Sequence, residues 1–229
     1  MNDGPKILKV PTIRRLPAYL RILRDMEREG IEFVSTTTIG EMLTLDAITV
    51  RKDLSITNVM GRPKIGYQVK ELIVAIEIFL GWHNNSDAFL VGAGHLGQAL
   101  MGYQGFAQYG LRIIAGFDIN PKIVGSKIAG TTIFPLKELP YLIKRLRVEM
   151  LILCVPAEMA QEVADTAIEF GIKGIWNFTP QKLIVPDHIV VQREDMASGL
   201  AVLSAKLANQ EKIQIEKNGH KEDQENQDD

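Results

Sequence analysis

One cysteine, Cys154, stands among 229 residues. That excludes an intrachain disulfide and a thiolate-built zinc cage, and it suits a reducing, cytoplasmic compartment. Long apolar runs are absent too. The longest, Leu72 to Trp82, is broken by Glu77 and falls well short of the ~20 residues a membrane span needs. Met1 to Val10 contains no apolar core segment, so no secretory signal is expected. The 19 glycines and 10 prolines follow no period, which excludes a collagen-like chain. Hydride-transfer machinery is missing as well. There is no Tyr-x-x-x-Lys pair, since Lys144 follows Tyr141 one residue too soon, and His83, His95, His188 and His220 form no cluster. With no catalytic acid or base standing out, the chain is expected not to be an enzyme, and no metal site is expected.

The apolar fraction of 46% and charged fraction of 24% are those of an ordinary globular protein. Charge is distributed unevenly: residues 1–70 carry a net +4, residues 71–209 a net −2 and residues 210–229 a net −4. The last segment is polar and acidic with almost nothing to bury, which predicts disorder over 211–229.

The N-terminal part has helical periodicity. Ile13, Leu16, Leu20, Leu23 and Met26 recur every three or four residues and predict a helix to about Glu29, with Pro17 in its first turn and Gly30 as its stop. Ser35 to Thr38 offers an N-cap to a short helix through Leu43. Asp46 can cap another from Ala47 to about Ser55, with Ile48 and Leu54 inward and Arg51 and Lys52 outward. Short helix, tight turn, helix is the helix-turn-helix grammar. Asn58 to Tyr67, holding Gly61, Arg62, Pro63, Lys64 and Gly66, reads as a hairpin wing, and a helix over Val69 to Leu80 follows. Thr49, Arg51, Lys52 and Ser55 on the second helix are candidate DNA contacts, although adjacent basic residues also read as a solvated face. Arg62 and Lys64 fit a minor-groove tip or a plain surface turn equally.

From Asp87 the grammar changes to alternating strands and helices, the mark of a parallel sheet. The apolar run Ala88 to Val91 leads into Gly92-Ala93-Gly94-His95-Leu96-Gly97, and a helix follows. Asp118 ends the next strand. A GxGxxG between strand and helix with an acid at the next strand end is the dinucleotide fingerprint. The first glycine makes the turn, the second lets a pyrophosphate approach the helix N-terminus, and the third lets helix and strand pack. Asp118 suits a ribose hydroxyl and repels a 2′-phosphate, which favours NAD(H) over NADP(H). Another adenine nucleotide, or an NAD-dependent oxidoreductase, remains an alternative on these residues alone. Met196, Leu200, Leu203 and Leu207 share one face of a last helix.

Several motifs in order resemble one family, the redox-sensing transcriptional repressor Rex. They are Arg15-Leu16-Pro17 with Tyr19 and Arg21, Val50 to Ser55, Gly66-Tyr67, the glycine loop, Gly116-Phe117-Asp118, Val155-Pro156-Ala157-Glu158, and Gly171 to Phe178. The resemblance implies an NADH/NAD⁺-responsive repressor that binds a palindromic double-stranded operator as a homodimer and leaves it when NADH is bound. It implies that Gly92 to Gly97, Asp118, Val155 and Pro156 hold the dinucleotide, that Tyr103 reaches the partner subunit's nicotinamide region, and that Arg21 and Asp195 form a switch pair. The chain departs from the family at Ile56-Thr57-Asn58, where an aromatic pair and glycine are usual, and at Pro63-Lys64, where Arg-Gly is usual; both departures bear on which operator is read. The expected organisation is a winged helix-turn-helix domain (1–80), a Rossmann-type α/β domain (81–195), a dimerisation helix (196–210), exchanged between subunits by the resemblance, and the acidic tail.

Overall fold

The computed structural model describes residues 10–84, 86–195 and 197–210, and these form two compact units. The first begins with α1 (Val10–Arg28), which buries Leu16, Tyr19, Leu20 and Leu23 completely. The helix starts three residues before the expected Ile13. Pro17 therefore lies two turns in, not in the first turn, and forfeits one backbone hydrogen bond that burial of the apolar stripe offsets. β1 (Phe33–Val34) leads to α2 (Thr36–Leu43), capped by Ser35, and α3 (Ala47–Leu54), capped by Asp46. A 3-10 turn (Ser55–Thr57) extends α3 and ends at Asn58 with φ +61°, so asparagine takes the left-handed position there.

The expected wing is smaller than a full hairpin. A single bridge joins Arg62 and Gly66 around Pro63-Lys64-Ile65. The outgoing β2 (Tyr67–Gln68) pairs with β1, Phe33 opposite Gln68 and Val34 opposite Tyr67, not with Asn58–Gly61. Gly66 makes this crossing possible: its φ is +103°, and a Cβ there would stand 2.3 Å from the Val34 carbonyl oxygen. α4 (Val69–Leu80) packs on α1 and stops at Gly81.

The second unit is built on a sheet of seven strands among the described residues, the first two of which begin in residues that group with the first unit: β3 (Ser86–Val91), β4 (Leu111–Asp118), β5 (Lys127–Ile128), β6 (Thr131–Pro135), β7 (Met150–Leu153), β8 (Gly174–Asn177) and β9 (Val190–Arg193). Their spatial order is β5-β6-β4-β3-β7-β8-β9; β5 pairs antiparallel with β6, and the pairs β4–β6, β3–β7, β7–β8 and β8–β9 are parallel. Without β5 this is the order of a doubly wound Rossmann sheet, and the winding reverses between β3 and β7. α5 (His95–Gly102), α6 (Leu139–Leu146) and α7 (Ala157–Glu169) cover it. The core forms around Phe89 and Phe117, whose rings meet edge-on at 5.0 Å.

Two boundaries differ from expectation. The first unit extends to Ser86, and Gln104–Arg112, expected in the second domain, groups with the first. Residues 197–210 form the last helix, with Leu200, Val202, Leu203 and Leu207 all more than half exposed. Met196 and the tail 211–229 lie outside the described residues.

Candidate functional site

Three strand ends meet at the point where the winding reverses. β3 runs into Gly92, with φ +96°, whose N–H donates to the Phe117 carbonyl at 2.9 Å. A Cβ on Gly92 would stand 2.5 Å from the Cys154 carbonyl oxygen, so the loops after β3 and β7 touch backbone to backbone. Gly97 presses on the same turn from within α5: its Cβ would stand 2.1 Å from the Gly92 oxygen. Gly94 differs from both. It is exposed, its φ of −71° suits any residue, and nothing lies within 4 Å of where its Cβ would be. The protein's own packing demands Gly92 and Gly97, whereas a bare backbone at Gly94 suits close approach by a ligand at the N-terminus of α5. Unpaired N–H groups and the helix dipole favour an anion there.

Asp118 holds this loop. One carboxylate oxygen accepts the Ala93 N–H at 2.7 Å and the other accepts the Asn120 N–H at 2.8 Å. A carboxylate offers about four acceptor positions, so capacity remains for the ribose hydroxyl expected of it. Ala93 is fully buried, while His95 and Leu96 are exposed at the start of α5. Gln98 braces the loop by donating to the Ala93 carbonyl at 2.9 Å. Gly116 has a packing role of its own. A Cβ there would stand 2.5 Å from Ile133 Cδ1 and 3.2 Å from Met101 Sδ, so it lets α5 settle on β4. Val155 is half-buried beside the loop, and Pro156 is the N-cap of α7. Tyr103 caps the C-terminus of α5 with its side chain 54% exposed. Cys154 takes no part as a thiolate, because burial pushes its pKa up to about 12.

The first unit carries the basic helix. The Ser35 hydroxyl accepts the Thr38 N–H, and the Asp46 carboxylate accepts the Thr49 N–H at 2.8 Å. Hydrogen bonds from the Thr49 hydroxyl and then its N–H hold the Asp46 pKa below the usual carboxylate range. Gly40 permits the turn between the helices: a Cβ there would stand 2.5 Å from the Leu45 oxygen, which no residue pattern had indicated. Arg51 and Lys52 are exposed as expected. Ile48 is not inward but 64% exposed. The inward stripe is Val50, Asp53 and Leu54, so Ile48, Arg51, Lys52 and Ser55 share the outer face at helical spacing. Two candidate contacts are already engaged locally: the Thr49 hydroxyl donates to Asp46, and the Ser55 hydroxyl donates to the Lys52 carbonyl. In the wing, the Arg62 guanidinium lies 5.1 Å above the Phe33 ring. Lys64 is exposed with φ +62°, an uncommon conformation for a lysine.

Asp53 is the residue that pattern reading missed. It is 2% exposed and accepts from Arg15 Nε at 2.6 Å, Arg15 Nη2 at 2.8 Å, the Tyr19 hydroxyl at 2.6 Å and the Thr12 hydroxyl at 2.8 Å. Burial alone would raise its pKa. The hydrogen bonds from Arg15, Tyr19 and Thr12, with the Arg15 charge, outweigh burial and lower it. An acid on the stripe shared by Val50 and Leu54 was the available signal, because a buried charge requires partners. Asp195 also has local work: its carboxylate accepts the Ala197 N–H and the Ser198 hydroxyl at the start of the last helix. Arg21 lies on the exposed side of α1.

Comparison with known proteins adds three kinds of match. A family model described as "CoA binding domain" matches residues 83–181, and one described as "Putative DNA-binding protein N-terminus" matches residues 10–55. Curated relatives called redox-sensing transcriptional repressor Rex include one from Treponema denticola, 47% identical over 88% of this chain and 96% of its own length. Another, from Bacteroides fragilis, is 42% identical over 90% and 93%. Among solved structures, the complex of the Rex-family repressor RSP with beta-NAD⁺ and operator DNA aligns at a TM-score of 0.84 and 32% identity, covering 91% of this chain and 96% of that one. RSP with beta-NADH aligns at 0.81 and 32% identity, covering 91% and 98%.

Proposed function

This chain belongs to the family of redox-sensing transcriptional repressors called Rex, and from that premise we propose how its own residues bind operator DNA and sense NAD(H). It is a regulator and not an enzyme: operator affinity depends on which redox form of the dinucleotide is bound. The observation that carries the reading is the contrast among the three loop glycines, two closed off by backbone and Gly94 open.

In this reading the backbone from Gly92 to Gly97 faces the pyrophosphate, with His95 and Leu96 at its rim. Asp118 takes the ribose while holding Ala93, and Val155 and Pro156 close the side toward β7. The dinucleotide supplies a redox-dependent charge and ring shape at its nicotinamide. Discrimination therefore belongs to residues near that ring, Tyr103 first, and not to the shared pyrophosphate loop. A ligand shifts a conformational equilibrium only by its differential affinity for the two states.

DNA falls to the outer face of α3. Arg51 and Lys52 meet guanine edges or phosphates, and Ile48 beside them suits a thymine methyl. Thr49 and Ser55 flank that face, and Arg62 and Lys64 present the wing. The exposed leucines of residues 197–210 pair in a homodimer, and the twofold axis asks for a palindromic operator with half-sites about 34 Å apart. Arg21 and Asp195 form the switch pair. No helix among the described residues is long and apolar enough to cross a membrane, and we place the protein in the cytoplasm with its DNA.

The test is a fluorescence titration with NADH and with NAD⁺, reported by Trp82 and Trp176. Saturable binding, tighter for NADH and abolished in Gly94→Val, is the expected result. No binding of either form overturns the reading.

A further inference from the structure

The chain divides between its two units at an informative place. Tyr103 ends a stretch of the second unit, and the next residue begins Gln104–Arg112, which groups with the first. This segment is held to the first unit at several points. Arg24 on α1 donates through Nη2 to the Glu77 carboxylate on α4 at 2.7 Å and to the Gln108 carbonyl at 3.0 Å. The Tyr109 ring packs on Trp82 with centroids 4.7 Å apart. Gly110, at φ +70°, sits so close that a Cβ would stand 2.7 Å from the Asn84 oxygen and 2.8 Å from the Trp82 oxygen. Its carbonyl accepts the Ser86 N–H at 2.6 Å.

We propose that Arg24 and Glu77 are positioning residues of the redox response: they clamp Gln104–Arg112 to α1 and α4, so that a movement of Tyr103 is delivered to the DNA-binding unit. The proposal rests on the reading of Tyr103 as the residue that reaches the partner subunit's nicotinamide region. Arg24 is the joint because one guanidinium, with five donors, serves both a carboxylate of α4 and a backbone carbonyl of the segment. From α1 the movement reaches α3 through the grip of Arg15, Tyr19 and Thr12 on Asp53. Both side chains of the ion pair are 26% exposed, so a partner left alone by a substitution still reaches water. The clamp can therefore be altered without unfolding the chain.

The test uses the full-length protein and an operator duplex. Three quantities are measured: NADH affinity, operator affinity without nucleotide, and the ratio of operator affinities without and with NADH. Arg24→Glu and Glu77→Arg are each expected to cut that ratio by about fivefold while leaving NADH affinity within about twofold. Arg24→Lys, which keeps a cationic donor beside both the Glu77 carboxylate and the Gln108 carbonyl, is expected to retain most of the ratio, which general weakening of the fold would not produce. Arg24→Gln and Glu77→Gln serve the same test should a reversal fail to fold. An unchanged ratio in the charge-reversed variants, or a loss in Arg24→Lys as large as in Arg24→Glu, overturns the proposal. Tyr103→Ala separates the premise from the clamp: if it leaves the ratio intact, the reading of Tyr103 fails and the clamp with it. If it abolishes the ratio while the Arg24 variants do not change it, only the clamp fails.

Discussion

Removing the Asp53 carboxylate should be among the most damaging single changes in the first unit. In Asp53→Ala, the fully buried Tyr19 hydroxyl and the nearly buried Thr12 hydroxyl lose their acceptor. Arg15 loses both of its bonds but is 31% exposed and turns partly to water. Breaking a buried pair from one side costs about 3–5 kcal/mol. Arg15's exposure pulls that toward the lower end, and the stranded Tyr19 hydroxyl adds about 1–3 kcal/mol. The expected loss is about 4 kcal/mol, a large share of the 5–15 kcal/mol typical of a domain. Tyr19→Phe leaves Asp53 with Arg15 and Thr12 and should cost about 1.5 kcal/mol. The two changes should be strongly non-additive, since they delete the same bond. Urea unfolding read at Trp82, in a Trp176→Phe background, measures this within the right unit. The pH dependence carries its own sign. Asp53 has a lowered pKa in the folded chain, so its stabilisation is present above the unfolded value near 3.9 and is lost as pH falls through the folded value. An Asp53→Ala variant within about 0.5 kcal/mol of wild type, or equal acid sensitivity in the two, would refute this reasoning.

The loop glycines should separate cleanly. Gly97→Ala should lower the melting temperature and abolish NADH binding, because its Cβ meets the Gly92 oxygen; Gly94→Val should melt like wild type and still fail to bind NADH in the same titration. Arg51→Ala should weaken operator binding by about 1–3 kcal/mol and relax the preference at one position, with NADH affinity unchanged, as read by fluorescence anisotropy on operator variants. Asp195→Ala should leave NADH binding nearly intact while weakening its effect on DNA, measured as the operator affinity ratio; release equal to wild type would remove Asp195 from the switch.

Much of the fold could be read where local chemistry decides. Ser35 and Asp46 cap the helices expected of them, and α4 keeps its expected ends because Gly81 closes a clear apolar period. Reading failed where a distant partner decides. Its apolar side chain points to an inward place for Ile48, yet Val50 and Leu54 already occupy the stripe and Asp53 completes it through α1. The wing looked like a closed hairpin because its turn signals are local, whereas the partner of β2 is β1, more than thirty residues back. Gln104–Arg112 joins the first unit through Arg24 and Trp82, contacts that periodicity cannot announce. The same distinction holds at the nucleotide loop. The GxGxxG spacing was legible, while the role of Asp118 in holding Ala93, and the need for Gly116 beneath α5, depend on how strands pair.

The central claim is that operator affinity follows the redox state of the dinucleotide held at Gly92–Gly97. The most direct test is fluorescence anisotropy on a palindromic duplex selected from random DNA with NAD⁺ present, titrated with the protein under NAD⁺ and then under NADH. Tight binding with NAD⁺, release with NADH, and no NADH response in Gly94→Val are the expected results. Equal affinity under both forms, with NADH shown to be bound, would contradict the claim.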